Sequence, residues 1–132
     1  MIVDSSVVVA VIRGETDARS YHDVLLGALN ARMSAATYVE TSLVIDGRRD
    51  PVMSHELDRY LATMRVEVVD LTVPQARLAR AAHRDYGRGS GHPAKLNLGD
   101  CFAYALAKDT GEPLLYKGDD FSHTDVIPAV RR

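Results

Sequence analysis

Short apolar runs of β-forming residues alternate with longer stretches of helical period along the whole of this sequence. Residues 1–4 (MIVD), 33–36, 66–71 (VEVVDL) and 114–116 read as strands. Residues 1–4 are nearly all apolar, which suits a strand buried on both faces, as in a parallel sheet. Residues 15–32 place Tyr21, Val24, Leu25, Ala28 and Leu29 at spacings of three and four, the period of a helix. Residues 37–46, closed by Gly47, and 52–64, entered through Pro51, read the same way. Further helices are predicted from Thr72 to Tyr86, with Pro74 early, and over residues 98–108. Residues 5–13 form a helix or turn directly after the first strand. Such alternation predicts an α/β fold with a mainly parallel sheet, whose sites form beyond the carboxyl ends of the strands.

The bulk composition narrows the classes. A length of 132 residues, 46% of them apolar, makes one domain with a real core. The longest apolar run, VVVAVI, is too short for a bilayer, and no basic segment with a cleavage site opens the chain. Cys101, the single cysteine, has no intramolecular partner and fits a reducing compartment, so a cytoplasmic, membrane-free protein is expected. A formal charge of −2 argues against gripping nucleic acid by general basic charge.

The acids carry the chemistry. A carboxylate at Asp4, closing a buried strand, is costly unless something pairs with it. Glu40 reads as lying in the first turn of the helix after the second strand, Asp100 in the first turn of an apolar helix, and Asp119 and Asp120 just after the LLYKG strand. Read singly, each has a structural role. Asp4 is a helix cap, Glu40 closes the capping box of Thr37-Tyr38-Val39-Glu40, Asp100 complements a helix dipole, and KGDDF is a turn. In a parallel sheet, however, all of these positions open onto one edge. Clustered carboxylates raise one another's pKa, and a hard divalent cation relieves the repulsion. Mg²⁺ or Mn²⁺ there would activate water against a phosphodiester.

Asp4 in IVDSSVVVA, Glu40 in AATYVETSLV, Asp100 in NLGDCFAYALA, and KGDDF followed by Thr124-Asp125 resemble the PIN-domain ribonucleases. More narrowly they resemble VapC-type toxins of bacterial VapBC toxin–antitoxin modules, from Met1 to about Ile127. The resemblance implies one PIN domain over residues 1–132, with a parallel sheet of four or five strands flanked by helices. It implies Mg²⁺- or Mn²⁺-dependent endonucleolytic cleavage of RNA, blocked by a cognate VapB-type antitoxin. It also implies a homodimer that joins antitoxin in a higher-order complex. Carried over by position, Asp4, Glu40 and Asp100 match the acidic triad, Asp4 and Asp100 as metal ligands and Glu40 through water. Asp119, directly after the glycine, is taken as the fourth catalytic and metal-binding acid, with Asp120 beside it as support. Ser6 matches a small hydroxyl residue next to the first acid.

Other features weigh less. GRGSGHPAKL at residues 87–96 lacks the P-loop pattern. It reads either as a basic loop that helps hold an RNA backbone or as a solvated linker. Arg77, Arg80, Arg84 and Arg88 recur at helical spacing and read as a solvated face before a phosphate-binding stripe. The five histidines lack zinc-ligand spacing, and Cys101 reads as a buried small hydrophobe. A haloacid-dehalogenase-type phosphatase would need a second Asp where Ser6 stands. A response-regulator receiver would need an acidic pair on the first loop. The remaining alternative is a PIN-like module that binds RNA or protein without catalysis, against which the intact acids argue.

Overall fold

Asp4 ends the first strand and caps the helix behind it. β1 (Ile2–Val3) runs into α1 (Ser5–Arg13) with only Asp4 between them. Asp4 keeps the extended backbone of a strand (φ −84°, ψ 156°) while its side chain accepts the Ser6 N–H, as an N-cap does. β2 (Ala31–Ser34) repeats the device. Ser34 accepts from the Ala36 N–H and starts α3 (Ala35–Asp46) with no residue between. Strand ends and helix starts therefore coincide at the sheet edge that carries the acids. The structure, a computed structural model, describes residues 1–131, and Arg132 lies outside the described residues.

The remaining elements are α2 (Ala18–Leu26), α4 (Pro51–Thr63), β3 (Val66–Val69), α5 (Val73–Tyr86), α6 (Leu98–Thr110), β4 (Leu114–Leu115) and a 3₁₀ turn at Asp120–His123. The four strands are parallel, in the order β3-β2-β1-β4, with Ile2 opposite Arg32 and Leu114. This is the α/β sheet flanked by helices that the alternation predicts. The chain steps outward from β1 to β2 to β3, then crosses back so that β4 lies on the other side of β1. The strand order thus reverses between β1 and β4, the crevice where open α/β sheets place their sites.

Adjacent residues on the central strands enter opposite cores, as the strand period requires. Ile2 and Leu114 pack with α5 and α6 residues such as Ala79, Cys101 and Leu106. Val3 and Leu115 pack on the other face with Val7, Leu25, Met33 and Leu57. Both faces are covered at the centre of the sheet, so β1 and β4 are wholly apolar and buried. Among the described residues no helix is long and apolar enough to cross a membrane.

Three expected boundaries move. The helix predicted over 15–32 is only Ala18–Leu26, closed at Gly27, and Leu29 is fully exposed rather than packed. The second strand occupies Ala31–Ser34 instead of 33–36. As a result α3 begins at Ala35 under a Ser34 cap, so Glu40 lies in its second turn and closes no capping box.

Candidate active site

Asp4 is 1% exposed, and its two carboxylate oxygens have different surroundings. Oδ2 accepts the Ser6 N–H at 3.0 Å and the Ser6 hydroxyl at 2.5 Å. Oδ1 is buried with no hydrogen-bond partner. Burial pushes the carboxyl up to about 6, against the Ser6 bonds that pull it down, and the nearby Glu40 charge adds to the rise. The cap predicted from sequence is present, but it uses one oxygen and leaves the other over.

Ser6 also reaches across the crevice. Its oxygen accepts the Lys117 N–H at 3.0 Å, tying the start of α1 to the loop after β4. The Lys117 ammonium points away from the acids, paired with Glu15 and, at 2.8 Å, with Asp17. Successive helix residues project about 100° apart, so Ser5 faces another neighbour. Its hydroxyl donates to Glu40 Oε1. Ser5 is a site residue that sequence reasoning missed. The pair Ser5-Ser6 was the available signal, because two adjacent hydroxyls on a first turn must address two different directions.

Glu40 is half-buried, and burial raises its carboxyl, with the Asp100 charge adding to the rise and Ser5 opposing it. Its position against α6 depends on Gly99, where a Cβ would overlap the Glu40 carboxylate outright. The glycine lets a side chain from α3 lie against the first turn of α6. Asp100, the next residue, is 9% exposed. It forms a reciprocal capping box with Asn97: Oδ2 accepts the Asn97 N–H at 2.9 Å and Asn97 Oδ1 accepts the Asp100 N–H at 2.9 Å. Burial raises Asp100 to about 6, the charges of Asp4 and Asp120 add to the rise, and Arg88 opposes it. Asp4, Glu40 and Asp100 therefore share one small region, each within the field of another.

The two acids after β4 differ. Asp119 is exposed and accepts from the Ser122 hydroxyl at 2.6 Å, with His123 Nε2 at 3.1 Å from its other oxygen. The charge of Asp120 reaches Asp100. Asp125 lies outside the cluster and joins the tail to α6 through the Tyr104 hydroxyl at 2.7 Å and Lys108 at 2.9 Å. Cys101 is buried, donates its S–H toward the Asn97 carbonyl at 3.3 Å, and has its thiol pushed up to about 11 by burial. Arg77, Arg80 and Arg84 lie along α5, and Arg88 stands beyond its end, near the acids.

The donor set is oxygen only, which suits a hard cation and not a soft one. Among the described residues no three His, Cys, Asp or Glu side chains close together tightly enough to enclose an ion by themselves. Magnesium does not require such a cage, since it keeps several waters and takes one or two carboxylates from the protein. The unpartnered Asp4 Oδ1 and the glycine-lined approach of Glu40 fit that kind of site.

Comparison with known proteins bears on the family of the chain. The PIN domain family model matches residues 1–127. The chain is 54% identical to ribonuclease VapC28 of Mycobacterium tuberculosis over 132 residues, 100% of this chain and 99% of the relative. It is 51% identical to ribonuclease VapC42 of the same species, over 98% of each chain. Its fold matches the crystal structure of M. tuberculosis VapC20, a sarcin–ricin-loop-cleaving toxin, with a TM-score of 0.77 at 16% identity, covering 99% and 98% of the two chains. A toxin–antitoxin complex from Klebsiella pneumoniae matches with a TM-score of 0.68 at 16% identity, covering 92% and 89%. A family match along nearly the whole length, with relatives more than half identical, leaves one conclusion: the chain belongs to the PIN domain family.

Proposed function

We propose that this chain, acting as one domain, is a Mg²⁺- or Mn²⁺-dependent endoribonuclease and the toxin of a type II toxin–antitoxin pair. The observation that carries the reading is the buried, unpartnered Oδ1 of Asp4, set within the fields of Glu40 and Asp100. A buried oxygen without a donor is expensive, and a cation is the partner that an oxygen cluster calls for. The names of relatives more than half identical support ribonuclease activity. The Klebsiella toxin–antitoxin complex of the same fold supports an antitoxin partner.

In this reading Asp4, through its unpartnered Oδ1, and Asp100 would hold the divalent ion. Bound there, it supplies an activated water and a counter-charge for the leaving oxygen. Glu40, held by Ser5, would orient an attacking water and accept its proton, with the scissile P–O bond breaking as the new P–O bond forms. Asp120 is taken as the fourth acid, since its charge adds to the rise of Asp100. Ser6 is a positioning residue that fixes Asp4 and the loop after β4. The substrate is RNA, the inhibitor is a VapB-type antitoxin, and the toxin acts as a homodimer that joins antitoxin in a larger complex.

Purified protein incubated with a total small-RNA pool in Mg²⁺, in Mn²⁺ and in EDTA tests this, with Asp4→Asn in parallel. Cuts that need the metal and vanish in the variant are expected. Folded, antitoxin-free protein that leaves the pool intact under every condition would overturn the reading.

A further inference from the structure

The sequence of the segment between α5 and α6 suggests a loose basic loop or linker, yet the segment is braced at every step. Gly87 and Leu96 form a parallel bridge. The Arg88 N–H reaches the Leu96 carbonyl at 3.0 Å, and the Leu96 N–H reaches the Tyr86 carbonyl at 2.9 Å. Inside the loop, the Ser90 hydroxyl donates to the Gly87 carbonyl at 2.6 Å and accepts the His92 N–H at 3.2 Å. His92 Nδ1 accepts the Ala94 N–H at 3.1 Å, which leaves the proton on Nε2. The His92 ring meets Tyr86 edge-on at 4.8 Å. Lys95 is held at φ +48°, a region that residues with side chains enter at a cost.

This frame encloses a recess of about 390 Å³ lined by Arg88, Gly89, Gly91, His92 and Lys95. Arg88 and Lys95 are exposed, and among the described residues neither takes part in an ion pair. Gly89 and Gly91 sit at φ +86° and +83° with open space where a Cβ would stand. Among the described residues nothing accepts their N–H groups. Two free cations, a histidine N–H and two open amides around one recess are the donors that a phosphate takes. The chain runs from Lys95 through Leu96 into Asn97 and Asp100, and the Arg88 charge is felt at Asp100. A polyanion approaching a carboxylate cluster on a chain of net charge −2 needs a cationic foothold beside it.

We propose that the recess formed by Arg88, His92 and Lys95 holds a backbone phosphate of an RNA strand, next to the phosphodiester cleaved at Asp4, Glu40 and Asp100. The subsite rests on the ribonuclease reading for the identity of its ligand. It is sequence-independent, setting where the strand lies and leaving base choice to other parts of the surface.

The test compares the full chain with Arg88→Gln/Lys95→Gln and, as a charge control on α5, with Arg77→Gln. The probe is a fluorescein-labelled single-stranded RNA of mixed sequence, titrated in EDTA at several salt concentrations. Cleavage of the small-RNA pool is followed separately with Mg²⁺. The double variant should bind several-fold more weakly. Its slope of log K against log salt should be shallower by about 0.7 for each phosphate that the protein no longer neutralises. Its KM should rise by a larger factor than its kcat falls, and its Tm should stay that of the parent because neither side chain is buried or paired. Arg77→Gln should match the parent. Equal slopes and affinities for parent and double variant, equal losses in Arg77→Gln, or a parent that binds no RNA would each overturn the subsite. A parent that binds RNA through these residues but cuts none would overturn the nuclease and leave the subsite standing.

Discussion

Replacing Asp4 with asparagine swaps one oxygen for an amide and removes one buried charge. The carboxyl of Asp4 moves from 3.8 in the unfolded chain to about 6 in the fold. A raised folded value means that the native state holds the proton more tightly than the unfolded state does. Its contribution to stability is therefore full below pH 3.8 and is lost as the pH climbs through 6. At about 1.4 kcal/mol per pH unit, the loss is about 1 kcal/mol at pH 4.5 and about 3 kcal/mol at pH 7.5. Asparagine keeps the acceptor that Ser6 needs and has nothing to ionise. Its amide N–H₂ replaces the unpartnered oxygen and carries no charge to add to those of Glu40 and Asp100. Removing the Asp4 charge also eases the ionisation of Asp100, which that charge raises. Asp4→Asn should thus gain about 2 kcal/mol relative to the parent between pH 4.5 and 7.5. Urea denaturation of both proteins at the two pH values, in EDTA, measures it. Parallel pH dependences, or a variant that loses ground as the pH rises, would refute the account of Asp4 as a buried, destabilised carboxylate.

Other residues give separate tests. Gly99→Ala should displace Glu40 from Ser5 and cut RNA cleavage by at least about ten-fold. Its stability should hardly change, since the helix gain of alanine, about 1 kcal/mol, offsets a missing hydrogen bond of about 1 kcal/mol. Cleavage rate and Tm report both. Ser6→Ala removes a donor to Asp4 and the acceptor of the Lys117 N–H, and should cost about 2 kcal/mol in urea denaturation. A cost under about 0.5 kcal/mol would mean that water replaces Ser6 without loss. Asp120→Asn should weaken cleavage while Asp119→Asn leaves it near the parent rate. The reverse order in a side-by-side assay would restore Asp119 as the fourth acid.

The sheet edge is legible because each acid follows an apolar run that can only be a buried strand or opens an apolar helix. For Asp4 the cap and the site look like rivals in the sequence, but a carboxylate has two oxygens, and the fold caps the helix with one and leaves the other without a partner. Asp100 repeats the cap with Asn97. The local role of Glu40 is hidden because the start of α3 depends on Ser34, a strand residue whose hydroxyl becomes a cap only once β2 is in register. The helical period of residues 15–32 runs through Gly27 and Asn30 without a break, so periodicity alone does not show that the helix stops at Leu26. Ser5 and Gly99 are the least legible parts of the site. The first is distinguished from Ser6 only by rotation about α1. The second matters for an atom it lacks, and that absence has meaning only once α3 and α6 lie side by side. The choice between Asp119 and Asp120 depends on how a 3₁₀ turn orients two adjacent side chains, which no spacing rule encodes.

The divided use of the Asp4 and Asp100 carboxylates also has a genetic side. An aspartate codon becomes an asparagine codon through a single transition at its first base. At either position that change spares the oxygen that caps the helix and cancels the charge beside it. Under the proposed function, either point mutation alone would lead to a chain that keeps its shape and outer surface while its acidic centre is disarmed. A cell harmed by such a toxin would have a short mutational route to tolerance. A molecule that recognises the outside of the fold would bind the disarmed form as readily as the original.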